Sequence, residues 1–308
     1  MSYPAVTISP ENATEVSQLA LWPTSGLGLV SYSPDGQLLA VGNKRELWLY
    51  DAQTLDTLLV VETRSWVRSV AFSPDSLTVA TGASVRDFEG IVQLWRAEDG
   101  QLLDTLSGHR HEVTSVAFSP DGGTLASASQ DGTIRLRRLA DGSLIHMFAP
   151  RCGYIWTVAF SPDGQSIASG CDSVRIWDAT DGTVLQTLEI PHALPQTVAF
   201  SPDGATLAIG LSDSTARLWD ASDGDLLHTL EGHGDFVKGL AFSPDGRMLA
   251  TGCSEGLVRL WQVSDGTLLH TLEGHTDWVQ SIAFSPDEYA LASGSFDGTI
   301  RLWGIPPE

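Results

Sequence analysis

The sequence predicts an all-β fold built from seven similar units, and three observations lead to this class. The tripeptide Ser-Pro-Asp recurs with spacings of 40, 46, 42, 40, 42 and 42 residues. Each copy is followed by an apolar residue paired with Ala and by a turn rich in Gly or Ser, and most copies end in an Arg-Leu-Trp-type triplet. A motif that returns at this period indicates a repeat architecture rather than separate domains. The copies begin at Ser33, Ser73, Ser119, Ser161, Ser201, Ser243 and Ser285.

Each copy predicts four short strands, and the copy around Ser243 shows the pattern clearly. Its first segment alternates as an inner strand does, and Ser-Pro-Asp-Gly then forms a tight turn in which Pro presets φ. Asp265-Gly266 is a hairpin signal, because these residues tolerate the positive φ of such turns. The predicted strands of this copy are 237–242, 248–253, 257–261 and 268–272.

The repeat resembles the WD-repeat β-propeller family over residues 15 to 308. The stretch 274–303 carries the motif most fully, with a Gly-His pair, Ala-Phe-Ser-Pro-Asp and a final Arg-Leu-Trp. The resemblance implies a seven-bladed β-propeller with four antiparallel strands per blade. The near-uniform copies are similar to bacterial examples. A fold of this kind hosts many unrelated tasks, so the resemblance says less about function.

The two ends of the chain predict how the ring closes. Only five residues follow Trp303, so the seventh copy has no outer strand of its own. The segment 15–22 lies where other copies place an outer strand, and by resemblance to the family we expect it to pair into the last blade. Closure would remove exposed sheet edges. The whole chain, 1–308, is then a single propeller domain, in which residues 1–14 form an N-terminal extension without a predicted place.

Composition excludes some partners and indicates a compartment. The 38 acidic and 17 basic residues give a net charge of -21, which opposes binding to nucleic acid or to an anionic membrane. Cys152, Cys171 and Cys253 are odd in number and have no paired metal spacing. We therefore expect free thiols in a reducing compartment. No secretory signal or membrane-length apolar run is visible, so a cytoplasmic, monomeric protein is expected.

One set of polar residues resembles a nucleophilic triad. His275, Ser293 and Asp297 have the required side chains, but related sets recur in other copies, and a catalytic site would not normally be repeated. In the WD-repeat family the matching positions form a structural hydrogen-bond chain that ends on the Trp indole. By resemblance we expect that role for His275, Ser293, Asp297 and Trp303, and for His109, Ser127 and Asp131. The sixth copy, with Glu255 in place of Asp, and the third, with Arg137 in place of Trp, should hold the chain less well.

No metal or cofactor is predicted. His228 and His270 occupy the same place in different copies and therefore lie on different blades. His109 and His111 have no cysteine or carboxylate cluster of recognised spacing nearby. A phosphate-binding Gly-rich loop between a strand and a helix is also missing from the pattern.

The two rims of the predicted ring differ. The Ser-Pro-Asp and Asp-Gly turns cap the same side, which should be strongly acidic, although turn chemistry alone favours Asp. On the opposite rim, large aromatics and arginines are the composition expected of a binding surface, whereas packing against neighbouring blades is the alternative. The predicted partner-binding residues are Trp66, Phe88, Tyr154, Phe236, Trp278, Phe296, Arg64 and Arg110. Arg86 and Arg151 fall nearby.

The sequence therefore predicts a non-enzymatic scaffold that binds a protein or peptide on the aromatic and Arg rim. Two alternatives stay open. The chain could be a regulatory or sensor module of a larger bacterial protein of the kinase or nucleotide-hydrolysing type, or a hydrolase that uses a Ser-His-Asp set.

Overall fold

The computed structural model describes residues 4, 6–24, 26, 28–84 and 89–306. These residues form seven four-stranded antiparallel sheets, arranged as blades around a central channel. The helical structure within the described ranges is one turn of 3₁₀ helix at Ala13–Glu15. The predicted all-β fold with seven blades of four strands is confirmed.

The strands follow one another from the channel outwards within each blade, and blade 7 takes its outer strand from the N-terminus. Blade 1 contains β2 Leu29–Tyr32, β3 Leu38–Asn43, β4 Glu46–Asp51 and β5 Thr57–Glu62. Blade 2 contains β6 Trp66–Phe72, β7 Thr78–Ser84, β8 Gly90–Arg96 and β9 Leu102–His109. Blade 3 contains β10 Val113–Phe118, β11 Thr124–Ser129, β12 Ile134–Arg138 and β13 Leu144–Phe148.

The remaining blades repeat this order. Blade 4 contains β14 Thr157–Phe160, β15 Ser166–Gly170, β16 Val174–Asp178 and β17 Val184–Leu188. Blade 5 contains β18 Pro195–Phe200, β19 Thr206–Leu211, β20 Ala216–Asp220 and β21 Leu226–Leu230. Blade 6 contains β22 Val237–Phe242, β23 Met248–Cys253, β24 Val258–Gln262 and β25 Leu268–Leu272. Blade 7 contains β26 Val279–Phe284, β27 Ala290–Ser295, β28 Thr299–Gly304 and β1 Ser17–Pro23.

Strand β1 closes the ring, as the ends of the sequence predict. It pairs antiparallel with β28, with Gln18 opposite Trp303 and Trp22 opposite Ile300. The segment before β1 also packs on the ring: Ile8 is buried in the same core cluster as Trp303, and its backbone N–H donates to the Glu288 carbonyl (2.8 Å). The described part of the N-terminal extension therefore covers the join between blades 6 and 7.

The core lies between neighbouring blades. The second strands are buried on both faces, and every residue of β23 and β27 is buried. A typical cluster joins Leu218 and Leu230 of blade 5 to Val237 and Leu249 of blade 6. Face-to-face packing of sheets explains why these strands read as continuous runs of apolar and small residues.

The seven Ser-Pro-Asp turns share one geometry. In each turn the Ser hydroxyl donates to the Asp carboxylate two residues later, at 2.5 to 2.6 Å. The fourth turn position has positive φ, which Gly246 adopts at 73° without a side-chain clash. Ser76 and Glu288 occupy this position in blades 2 and 7 at a φ of 64°. These turns join first to second strands, so they lie on the same side of the ring as the hairpins between third and fourth strands.

The expectation of three free thiols is wrong. Cys152 and Cys171 form a disulfide, and Cys253 is the free, buried cysteine of the described chain. The bond ties the loop that enters blade 4 to the end of β15. The linear spacing of 19 residues gave no sign that this loop folds back onto the strand end. The inference of a reducing compartment rested on free thiols and loses that support. Among the described helices, none is long and apolar enough to cross a membrane.

Candidate partner-binding rim

The rim opposite the Ser-Pro-Asp turns consists of the loops that enter the first strands and the turns between second and third strands; we call it the aromatic rim. Five of its aromatic side chains are exposed to solvent. The exposed fractions are 43% for Trp66, 53% for Tyr154, 37% for Phe236, 37% for Trp278 and 39% for Phe296. The indole of Trp278 meets the ring of Phe296 edge to face at 5.6 Å between centroids. These aromatics therefore present ring area at the surface.

The arginines predicted for this rim have different surroundings. Arg64 lies in the left-handed region with a φ of 59° and lines a groove of about 650 Å³ beside Trp66. Arg110 is exposed, and its backbone N–H donates to the Asp131 carboxylate (2.9 Å). Phe88 and the neighbouring Arg86 lie outside the described residues.

A ring of channel-lining residues is a feature that the sequence interpretation missed. It lies two residues after the aromatic position of each copy, and side chains two apart on a strand share a face. The members that line adjoining cavities of about 250 and 160 Å³ are Arg68, Thr114, Trp156, Gln196, Lys238 and Gln280. Because they come from six different blades, these cavities lie on the axis of the propeller. The spacing of the rim aromatics was the signal that could have found the ring.

On one side of the channel ring, the positive charge of Arg68 is neutralised by an ion pair. Arg68 Nε donates to Glu112 Oε1 at 2.9 Å. Glu112 also accepts from Gln130 Nε2 (3.0 Å) and from the Ser84 hydroxyl (3.2 Å). The guanidinium of Arg68 lies 5.7 Å from the centroid of the Trp66 ring. The positive charge in blade 2 is therefore already met by a carboxylate.

The opposite side of the ring carries a lysine without such a partner. Lys238 Nζ donates to Gln196 Oε1 (3.1 Å) and lies 5.1 Å from the centroid of Trp278 and 6.0 Å from that of Phe236. No carboxylate of the described chain forms an ion pair with it. Burial lowers the pKa of Lys238 below its usual value, although Asp235 acts in the opposite direction.

The polar set of blade 7 forms a continuous hydrogen-bond chain. His275 Nδ1 lies 2.9 Å from Asp297 Oδ2, and His275 Nε2 lies 2.8 Å from Ser293 Oγ. Trp303 Nε1 donates to the same Ser293 oxygen at 2.8 Å. The indole can only donate and the ionised carboxylate can only accept, so Nδ1–H donates to Asp297, and Nε2 of the neutral imidazole accepts from the Ser293 hydroxyl. Burial lowers the pKa of His275 below its usual value, although the Asp297 carboxylate acts in the opposite direction, and the net effect favours the neutral imidazole.

Ser293 has no exposed surface, and this bears on the hydrolase alternative. Its oxygen contacts both the indole and the imidazole, so no side of it is left for a substrate carbonyl. The chain instead satisfies three polar groups that would be costly to bury alone. The same His-Ser-Asp contacts occur in blade 3, where His109 lies 3.0 Å from Asp131 and 2.8 Å from Ser127.

Other blades hold parts of this chain. In blade 3, Arg137 replaces the indole, and its guanidinium donates to the carbonyls of Gly142 and Ser107. In blade 6, His233 lies 2.9 Å from Thr251 Oγ1, but its Nδ1 is buried without a hydrogen-bond partner. Glu255 pairs there with Arg259 at 2.7 Å.

The hydrogen bond from a Trp indole to a Ser or Thr hydroxyl occurs in more blades than the sequence analysis predicted. Trp95 donates to Thr81 at 2.9 Å in blade 2, and Trp177 donates to Ser169 at 2.8 Å in blade 4. The fifth blade has Trp219, whose buried Nε1 has no hydrogen-bond partner.

One cluster of possible metal ligands contains the disulfide bond. Within the described ranges, Cys152, Cys171 and Asp172 bring possible ligand atoms within 4.8 Å of one another. Two of these atoms are joined in the disulfide, and a disulfide sulfur is not a thiolate ligand. The cluster therefore offers a single carboxylate.

The fold and the repeated hydrogen-bond chain define a repeat-built propeller, and comparison with known families agrees. The family model described as WD40, "WD domain, G-beta repeat", matches residues 56–96, 100–137, 142–178, 182–220, 224–262 and 266–304. These six segments cover more than half of the chain. The chain therefore belongs to the WD40-repeat family.

The matched segments are offset from the blades. Each contains the outer strand of one blade and the inner three strands of the next, so the repeats interlock neighbouring blades. The inner three strands of blade 1 precede the first matched segment, yet the structure gives this blade the same four strands, with Tyr50 at the usual Trp position.

Curated relatives match parts of the chain. Telomerase protein component 1 of Mus musculus is 33% identical over 109 residues, which are 33% of this chain and 4% of that protein. Periodic tryptophan protein 2 homolog of Neurospora crassa is 47% identical over 64 residues, 21% of this chain and 7% of that protein. Serine-threonine kinase receptor-associated protein of Gallus gallus is 27% identical over 123 residues, 40% of this chain and 34% of that protein. The matches span at most about a third of these relatives.

Proposed function

We propose that this propeller is a non-enzymatic scaffold that binds a peptide or a partner domain on its aromatic rim. The observation that carries the proposal is the exposure of Trp66, Tyr154, Phe236, Trp278 and Phe296 on one rim around the channel. Aromatic side chains bury large areas and dominate the energy of many interfaces. The alternative, that these rings only pack between blades, fits poorly with their exposed fractions.

The surroundings of the aromatics support the same function. The groove beside Trp66 offers about 650 Å³ with the charged side chains of Arg45, Glu46 and Arg64 in its wall. Apolar anchors with nearby charged groups are typical of protein interfaces. Two of the relatives are named as a protein component and as a receptor-associated protein, and these names describe members of protein assemblies.

The charge and the buried polar chains support the choice of class. A net charge of -21 opposes a nucleic-acid partner or an anionic membrane. The buried Ser293 supports a structural role for the set that resembles a triad. We therefore propose an interaction scaffold rather than a hydrolase.

The test is to remove two aromatic anchors together. In the variant Trp66→Ala/Trp278→Ala, capture of the natural partner from source-cell lysate should fall about 100-fold or more, because each anchor contributes a hot spot. The thermal midpoint should change little, since both side chains are partly exposed. Quantitative mass spectrometry of the captured proteins, with calorimetry of the variants, measures both effects.

The matched control removes exposed apolar area elsewhere. Leu227 and Leu268 are exposed to a similar degree but lie on the outer strands β21 and β25. The variant Leu227→Ala/Leu268→Ala should capture the partner as the wild type does. A large fall in the midpoint of the Trp variant would show that the two side chains belong to the core. Equal loss of capture in both variants would show that the aromatic rim is not the binding surface.

A further inference from the structure

The channel ring contains a positive charge that forms no ion pair with a carboxylate of the described chain, although Asp235 acts on it without forming an ion pair. Lys238 and Arg68 occupy equivalent positions of blades 6 and 2, and both line the cavity of about 250 Å³ at the mouth of the channel. Arg68 is paired with Glu112, whereas the hydrogen-bond partner of Lys238 Nζ is the neutral Gln196. A partly buried ammonium without a counter-charge is costly, and a carboxylate brought to it would be strongly favoured.

The aromatic neighbours of Lys238 argue against a cationic ligand. A group of exposed aromatics can bind an ammonium or guanidinium group through its ring faces. Here the face of Trp278 already has Lys238 Nζ at 5.1 Å from its centroid, and Phe236 has it at 6.0 Å. A second cation at this place would meet a like charge at short range. The same arrangement attracts an anion.

The size of the cavity and its next neighbour limit the ligand further. A volume of about 250 Å³ lies below the ~300–1,000 Å³ of typical small-molecule sites, so it suits one inserted side chain. Gln280 follows Lys238 in the channel ring, and its side-chain oxygen has no hydrogen-bond partner. No hydrogen bond holds its Nε2 in the described chain either, so rotation of the amide can direct its N–H groups towards a carboxylate in the cavity.

We propose that the mouth of the channel at Lys238 takes an Asp or Glu side chain from an extended peptide segment of the partner. Lys238 donates to the carboxylate, Gln280 adds an amide donor, and Trp278 covers the aliphatic part of the inserted side chain. This inference rests on the proposed function, because the rim aromatics hold the rest of the peptide.

The experiment selects random 12-residue peptides, by display, against the wild-type protein. We expect the selected peptides to share one acidic position. Replacing that Glu by Gln should weaken binding about tenfold or more, because a charge-assisted hydrogen bond to a partly desolvated ammonium is lost. Isothermal titration calorimetry with the two peptides measures the ratio.

Three variants make the assignment specific. In Lys238→Met, which keeps the apolar stem, the Glu and Gln peptides should bind within about twofold of each other because the charged partner is gone. Lys238→Arg should restore the acidic preference, and it supplies the decisive comparison if Lys238→Met is unstable. Arg138→Met is the matched control, since Arg138 ends β12 beside Asp141 on the opposite rim and does not line the cavity, and it should keep the tenfold ratio.

The outcomes separate this inference from the proposed function. Selected peptides that need Trp66 and Trp278 but show no acidic position, or whose Glu-to-Gln ratio survives Lys238→Met, would overturn the carboxylate site and leave the scaffold function standing. If retained peptides bind the Trp66→Ala/Trp278→Ala variant equally, the proposed function fails and the carboxylate site fails with it. If no peptide is retained, the carboxylate site fails, and the lysate capture decides whether a partner domain binds the aromatic rim.

Discussion

Single substitutions in the repeated hydrogen-bond chain change the electrostatics of a buried histidine. In blade 7 the His275 imidazole has Asp297 at 2.9 Å from Nδ1. In blade 6 the equivalent acid is Glu255, which pairs with Arg259 and leaves Nδ1 of His233 buried without a partner. Burial, together with the nearby Arg259, lowers the pKa of His233 to about 4. The change of acid therefore removes the carboxylate that opposes the effect of burial at His275, and leaves His233 without a hydrogen-bond partner on Nδ1.

This histidine predicts a loss of stability in mild acid. The unfolded chain binds a proton at His233 near pH 6.5 and the folded chain near pH 4, so the unfolded state holds more protons between these values. Stability therefore falls as the pH drops through that window, by about 2 kcal/mol between pH 7 and pH 5 for this site. In His233→Gln, the difference between the unfolding free energies at pH 7 and pH 5, measured with denaturant, should shrink by that amount.

The control for this measurement is His228→Gln on the outer strand β21, where the wild-type pH dependence should persist. An unchanged pH dependence in His233→Gln would show that this imidazole is not held neutral by its burial.

At the scale of elements, the loop that enters blade 4 is attached to its own blade by a covalent bond. Cys152 precedes Tyr154 on the aromatic rim, and Ile155 behind it is fully buried. The disulfide to Cys171 joins this loop to the end of β15, across a sequence separation of 19 residues. Closing a loop of this size lowers the entropy of the unfolded chain, and in the chain-entropy account this raises the free energy of unfolding by about 3 kcal/mol. The bond therefore stabilises the blade that carries an exposed aromatic.

The disulfide predicts a thiol count and a response to reductant. The oxidised protein, unfolded without reductant, should show one reactive thiol per chain, from Cys253, and three after reduction. Its thermal midpoint should fall on reduction, because the unfolded state regains freedom. Cys152→Ser/Cys171→Ser should start at the lower midpoint and not respond to reductant, and Cys253→Ser should respond like the wild type. Three thiols without reductant would contradict the bond.

On the scale of the whole molecule, features that repeat were predictable from the sequence and features that depend on one blade were not. The turns around Ser243 and the pairing of 15–22 with the last blade followed from the common pattern. The Cys152–Cys171 bond occurs once, so no repeat could reveal it. The charge balance at Lys238 depends on where Glu112 and Gln196 point across the channel, and linear spacing does not contain that geometry.

Closure of the ring concentrates much of the stability in one short strand. β1 contributes Ala20 to the cluster that contains Ile300 and Leu302, and Trp22 packs against it. Without β1, the strand β28 would become an exposed edge with unpaired backbone groups, and apolar side chains between blades 7 and 1 would meet water. Every blade buries its apolar side chains against its neighbours, so opening the ring between two blades destabilises the whole propeller.

Removing residues 1–22 should therefore give a protein that is insoluble or that unfolds without a cooperative transition, as measured by light scattering and calorimetry. A variant lacking residues 1–15 is the matched comparison. It keeps β1 but loses Ile8 and the Glu11–Arg247 ion pair, so it should stay soluble with a lower midpoint. Adding a synthetic peptide of residues 15–24 to the variant without residues 1–22 during refolding should recover soluble protein, because the peptide can pair with β28 in place of β1. A variant without residues 1–22 that is as soluble and as stable as the wild type would show that β1 does not hold the ring closed.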